Sequence, residues 1–88
     1  MTGFPLGQTV ITRGALASLD NEAIQKALQR HASSDWGGVC EEDWSANDQA
    51  LQDGTRLLSS YVSKSKQKFW VITEADRSAT TVLLPEEY

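Results

Sequence analysis

The stretch LLSSYVSKSKQKFWVITEADRSATTVLL, residues 57–84, decides the fold. β-Branched and aromatic residues concentrate there, and the apolar spacing that is near 3.6 upstream of Arg56 drops to near 2. Three strands are predicted, at 57–63, 69–74 and 79–84. The polar turns between them, 64–68 and 75–78, have lengths that suit antiparallel hairpins. In the middle segment Phe69, Val71 and Thr73 alternate with Trp70, Ile72 and Glu74, so both faces carry large apolar groups and this strand reads as the centre of the sheet. Pro85 stops the third strand, and residues 85–88 are short enough to dock as a tail with Tyr88 packed back or left exposed.

Upstream the spacing is helical. A short β-branched run at 8–11 leads into Thr12, a good N-cap, and Ala15, Leu16 and Leu19 follow at helical intervals, giving a first helix over 13–19 that Gly14 weakens. Asp20 or Asn21 caps a second helix with Glu22 in its first turn and Arg30 and His31 in its last, as the helix dipole favours. Its apolar face is Ala23, Ile24, Ala27, Leu28 and His31. The glycine pair in 32–38 makes a linker. A third helix starts near Cys40, places Glu41, Glu42 and Asp43 at its N-terminal end and Trp44, Asn47 and Leu51 on one side, and ends at Gly54. The expected class is therefore α+β, with two to three N-terminal helices packed on one face of a three-stranded antiparallel β-meander. A chain of 88 residues has room for one core, so 1–88 is a single domain with its helical part at 12–54 and its sheet at 56–85. The core expected from these patterns is Ile24, Leu28, Trp44, Leu51, Leu57, Tyr61, Val71, Ile72, Val82 and Leu84.

Twelve acids against eight bases give a net charge of −4. That is the opposite of the basic footprint a phosphate backbone requires, so direct nucleic-acid binding is disfavoured. The charges are segregated as well: Asp35, Glu41, Glu42, Asp43, Asp48 and Asp53 precede Arg56 with no base among them, while Arg56, Lys64, Lys66 and Lys68 follow with no acid. The lone Cys40 cannot form an internal disulfide, the N-terminus does not read as a signal peptide, and no apolar run reaches the ~18 residues of a membrane span. A soluble chain in a reducing cytoplasm is expected.

Several residues could carry chemistry. His31 is the only histidine, with Asp35 four residues on as an orienting carboxylate, but a helix that ends at His31 would put Asp35 in a loop. One cysteine and one histidine do not make a zinc site, so neither metal nor cofactor is expected. Trp44 reads as core; Trp36, between Asp35 and two glycines, could be a binding platform or be tucked over the helices. Glu74, Asp76 and Arg77 could form a charged constellation at the end of the central strand, or an ordinary turn. The lysines at 64–68 read as a solubilising hairpin tip.

Arg30-His31 through Asp35-Trp36-Gly37 to Glu41-Glu42-Asp43, then Gly54 to Tyr61, the ending ITEADRSATTVLLPEEY from Ile72 to Tyr88, and the opening Phe4-Pro5-Leu6-Gly7 together resemble a family of small bacterial proteins found on plasmids and other mobile elements. Some members carry a label tying them to type I restriction modification subunits. The resemblance covers nearly the whole chain and implies a genomic setting; it brings no catalytic residues. The glycine-rich loop and Asn-Pro-Pro-Tyr type motif of methyltransferases do not occur in these residues. Relatives have proline after the Thr12 cap where this chain has Arg13, which bears on the first helix alone.

These observations lead to an expected non-enzymatic cytosolic accessory protein of a mobile element that binds another protein. Its expected surface is Asp35, Trp36, Glu41, Glu42 and Asp43 meeting a basic patch, with Arg77 as a further binding candidate. One alternative is an acidic inhibitor of a restriction or defence nuclease, against which the modest net charge counts. Another is a small hydrolase or transferase using His31 with Asp35, or Glu74 with Asp76, which requires a concave pocket. A homodimer could form by pairing of the free edge of the first or third predicted strand.

Overall fold

A computed structural model describes residues 4–88. They form strand β1 (Gln8–Ile11), helices α1 (Arg13–Ser18), α2 (Asn21–Ala32) and α3 (Glu41–Asp53), strands β2 (Leu57–Val62), β3 (Lys68–Thr73) and β4 (Ala79–Leu83), and a 3₁₀ turn at Pro85–Glu87. The class is α+β as the spacing implied. The sheet differs from the expected three-stranded meander: it has four strands in the order β1-β4-β3-β2, with β1 parallel to β4 and the other pairs antiparallel. The 8–11 run is the added strand, aligned from Gln8 opposite Ala79 to Ile11 opposite Val82. Its partner lies some seventy residues away and no turn signal joins the two, so nothing local announces the pairing.

The local signals for the helices hold. Thr12 Oγ1 accepts the Ala15 N–H at 3.3 Å and Asp20 Oδ1 accepts the Ala23 N–H at 2.8 Å, each satisfying a donor of a helix first turn. Gly54 takes the left-handed conformation at φ 72° that ends α3. Gly14 has a different reason to be glycine. Glu87, from the 3₁₀ turn, accepts the Gly14 N–H at 2.9 Å and also the Thr12 hydroxyl and the Leu84 N–H. A Cβ on Gly14 would stand 2.6 Å from that carboxylate, so the glycine lets the tail close over the start of α1. The hydrogen bond from Thr12, followed by that from Leu84, holds the Glu87 carboxyl below its usual range.

Side chains alternate across the sheet, and the face built from Leu57, Ser59, Tyr61, Phe69, Val71, Thr73, Thr80 and Val82 is buried. Ala15 from α1, Leu19 just after it, and Ile24, Ala27 and Leu28 from α2 pack onto it, with Leu84. A second cluster of Trp36, Ala50 and Leu57 lies at the β2 end. Two residues expected in the core, Trp44 and Leu51, are only half-buried. Their helix packs against the edge strand rather than across the sheet, so Asn47 and Ala50 make the buried contact.

That packing closes the β2 edge. Asn47 donates from Nδ2 to the Leu58 carbonyl at 2.7 Å and accepts the Leu58 N–H at 3.2 Å, standing in for a neighbouring strand. Gly38 N–H donates to the Ser60 carbonyl at 2.7 Å and Ser60 N–H to the Trp36 carbonyl at 3.1 Å. Neither edge expected to pair with a second copy is therefore free, since β1 occupies the outer side of β4 and the 36–38 loop with Asn47 occupies that of β2. Replacing Asn47 with Ala leaves the Leu58 N–H and carbonyl without partners at a half-buried edge, and unfolding by urea is expected to show a loss of about 1–3 kcal/mol. A loss below about 0.5 kcal/mol, the range of ordinary surface substitutions, would reject the edge-capping role.

Candidate functional site

His31 lies on the inner face of α2 and is 0% exposed. Its Nδ1 is 2.5 Å from Ser59 Oγ on β2 and its Nε2 is 2.8 Å from Thr73 Oγ1 on β3. Thr73 Oγ1 lies 2.7 Å from Thr80 Oγ1 on β4, which donates to the Leu6 carbonyl at 2.7 Å. The carbonyl can only accept, and it fixes every proton in the chain. Thr80 gives its proton to Leu6 and accepts from Thr73. Thr73 then accepts from His31, so Nε2 carries the ring proton and Nδ1 accepts from Ser59. Phe4 and Trp36 wall the imidazole edge-on, with centroids at 5.3 and 5.5 Å. Burial, and secondly the charge of Arg77, push the His31 pKa down to about 4. The ring is a neutral core element with both nitrogens engaged.

Asp35 does not meet it. α2 ends at Ala32, and Asp35 turns to Arg30, receiving Nε–H at 2.8 Å and Nη2–H at 3.3 Å as well as the Gly37 N–H at 3.2 Å. The Arg30 hydrogen bonds hold the Asp35 carboxyl below its usual range. Arg30 also lies over the Tyr61 ring at 4.7 Å, and the Tyr61 hydroxyl donates to the Asp35 carbonyl at 2.6 Å. The His31/Asp35 pair considered for acid–base chemistry is thus not assembled.

Trp36 is 0% exposed and its Nε1–H donates to Asp48 at 3.0 Å, so it presents no ring face to solvent. Gly37, at φ +74°, explains why a glycine-flanked loop could bury so large a ring: a Cβ there would run into the Ser60 carbonyl and the Tyr61 ring. The glycine lets the loop lie flat on β2, and Trp36 follows it inward.

The Arg77 side chain bonds to neither the Glu74 nor the Asp76 carboxylate. Its guanidinium donates to four backbone carbonyls, Thr55 at 2.7 Å, Ala50 at 3.0 Å, Glu74 at 3.2 Å and Ala75 at 3.3 Å, bracing the end of α3 to the β3–β4 turn. Asp76 accepts the Ser78 N–H at 3.0 Å, ordinary turn chemistry, and both Glu74 and Asp76 are exposed. Glu41, Glu42 and Asp43 are also exposed, on the first turn of α3, and make no side-chain hydrogen bond or ion pair to any described residue. Among the described residues no group of three or more metal-ligating side chains comes together, and no helix is long and apolar enough to cross a membrane.

One feature escaped the reading of the sequence. A cleft of about 130 Å³ separates α2 from the β2–β3 hairpin, lined by Ala23, Lys26, Ala27 and Arg30 on one bank and by Tyr61 and Lys64 on the other. Ala23 and Ala27 with Lys26 and Arg30 are a visible helical pattern. The opposite bank depends on the register that sets Tyr61 beside Phe69, which only the folded chain reveals. Searches against family models, curated proteins and solved structures find no match to the chain.

The depressed histidine pKa makes stability depend on pH in a stated direction. Unfolded His31 binds a proton near pH 6.5 and folded His31 only near about 4, so its contribution is whole above about pH 6.5 and falls as the pH drops toward 4, by about 3 kcal/mol in all. Urea unfolding at pH 7 and at pH 5 should show about 2 kcal/mol of this loss in the native chain, and His31→Gln should remove most of the difference. An equal difference in the variant would contradict the assignment.

Proposed function

We propose that this chain is a protein-binding accessory module of a mobile genetic element, working in the cytoplasm, and that the acidic first turn of α3 is its contact surface. What supports this is the division of labour among the polar side chains. His31, Asp35 and Arg77, three of the groups on which catalysis or ligand capture could have been built, are engaged in holding the fold, and Glu74 and Asp76 stand exposed at a turn. Glu41, Glu42 and Asp43 are exposed and have no side-chain partner among the described residues. They stand in the first turn of a helix that Asn47 ties to β2, so the backbone that carries the three carboxylates is held in place. The positive end of the helix dipole stabilises them without a side-chain partner, leaving them available to a basic surface. Trp36 leaves the surface set because it is buried, and Asp35 because Arg30 already neutralises it.

The test compares the native chain with the triple variant Glu41→Gln, Glu42→Gln, Asp43→Asn as baits in lysate of the native host. The account expects a partner with a basic surface that the native chain retains and the variant loses, with the variant's fold kept at a cost of no more than about 1 kcal/mol per carboxylate from the weakened dipole interaction. Retention of the same partner by the folded variant would reject this surface.

A further inference from the structure

We infer that the chain pairs with a second copy of itself along the outer edge of β1, antiparallel across a two-fold axis, so that two four-stranded sheets join into one. The two ends of the sheet are treated differently. Asn47 and the 36–38 loop close β2, whereas β1 is the outermost strand at the other end. The Gln8 N–H donates to the Ser78 carbonyl at 2.9 Å and the Thr12 N–H to the Val82 carbonyl at 3.0 Å, so the backbone groups of residues 8, 10 and 12 face β4. Those of Thr9 and Ile11 face away from it, and no hydrogen bond from the described residues meets them there. Thr9 and Val10 are exposed. Of the devices that blunt an open edge, this one has only its length of four residues: it holds no charge and no proline, and it pairs with β4 without a bulge.

The edge is complementary to itself. The antiparallel register that uses both outward residues of each strand lets Thr9 exchange its two bonds with the partner's Ile11 and Ile11 do the same with the partner's Thr9. Val10 then lies on the axis opposite the partner's Val10, a β-branched pair on the outer face with Cβ atoms about 4.5–5.5 Å apart. Arg13, where the chain leaves the strand for α1, falls opposite the partner's Gly7, so no like charges meet. Nothing in an uncharged, β-branched edge chooses a strand of another protein, whereas the second copy brings the matching groups in the matching register. Because β2 is capped, this pairing leaves no open edge and stops at two copies. α3, tied to β2, stands at the far ends of the joined sheet, and the pairing does not rest on its reading as a contact surface.

The test is sedimentation velocity from about 10 μM to about 1 mM, with amide chemical shifts of the ¹⁵N-labelled chain followed over the same range. A monomer–dimer equilibrium is expected, with shifts centred on residues 9–11. Each copy carries a net charge of −4 and the edge carries none, so raising the salt from about 0.05 M to about 0.5 M should raise the dimer fraction. Thr9→Pro removes one outward N–H per copy, spares the bonds to β4 and should weaken association about tenfold. Val10→Lys and Val10→Glu each set like charges on the axis at an exposed position; each alone should weaken association, and an equimolar mixture of the two should restore it. Dispersed amide spectra at low concentration establish that each variant is folded. The inference is overturned if the native chain stays monomeric at about 1 mM, grows past a dimer or is loosened by salt. It is equally overturned if the shifts lie elsewhere, if folded Thr9→Pro pairs as well as the native chain, or if the mixture associates no better than its two components.

Discussion

A buried line of hydrogen bonds from the Leu6 carbonyl through Thr80, Thr73 and His31 to Ser59 joins the segment before β1 to β4, β3, α2 and β2. In a low-dielectric interior such a line stabilises only when every member is satisfied, and no buried side-chain nitrogen or oxygen among the described residues lacks a partner. It sets how deep α2 sits on the sheet, because the imidazole must reach two strands at once. It also explains the aromatic walls: Phe4 and Trp36 exclude water from a ring whose neutral form the line requires.

Around that centre, polar side chains tie backbone to backbone where a small chain has little apolar surface to bury. Asn47 closes the β2 edge, Arg77 gathers carbonyls from α3 and the β3–β4 turn, and Glu87 draws the tail over α1. Arg77 and Glu87 act between segments far apart in the sequence, and Asn47 between consecutive elements. Each also removes a feature that would otherwise invite association: an open strand edge, orphan carbonyls at a helix end, or a loose terminus.

The elements themselves were legible because their signals are local. Thr12 and Asp20 cap helices where they stand, Gly54 ends α3, and the alternation of Phe69 to Thr73 marks the central strand. What escaped depends on distance. β1 shows its nature only beside β4, and Trp44 and Leu51 lose burial because α3 meets an edge; the burial of Trp36, one of the two outcomes its loop offered, is decided by Gly37, which lets the loop lie against β2. For the site, the exposure of Glu41, Glu42 and Asp43 follows from their place in a first helical turn. The roles of His31 and Arg77 do not follow from neighbours in sequence alone, since His31 meets Ser59 and Thr73, and Arg77 reaches Ala50 and Thr55 beyond its local bonds to Glu74 and Ala75.

The proposed contact uses what the fold leaves over, the acidic first turn of α3. His31 is a locked, neutral part of the core. Long-range ¹H–¹⁵N correlation of its imidazole, followed from pH 7 to about pH 5, tests that directly, because the two nitrogens report tautomer and charge separately. The account predicts a single Nε2–H tautomer that stays neutral throughout that range. An imidazole titrating near the ordinary value of about 6.5, or averaging between tautomers, would contradict it.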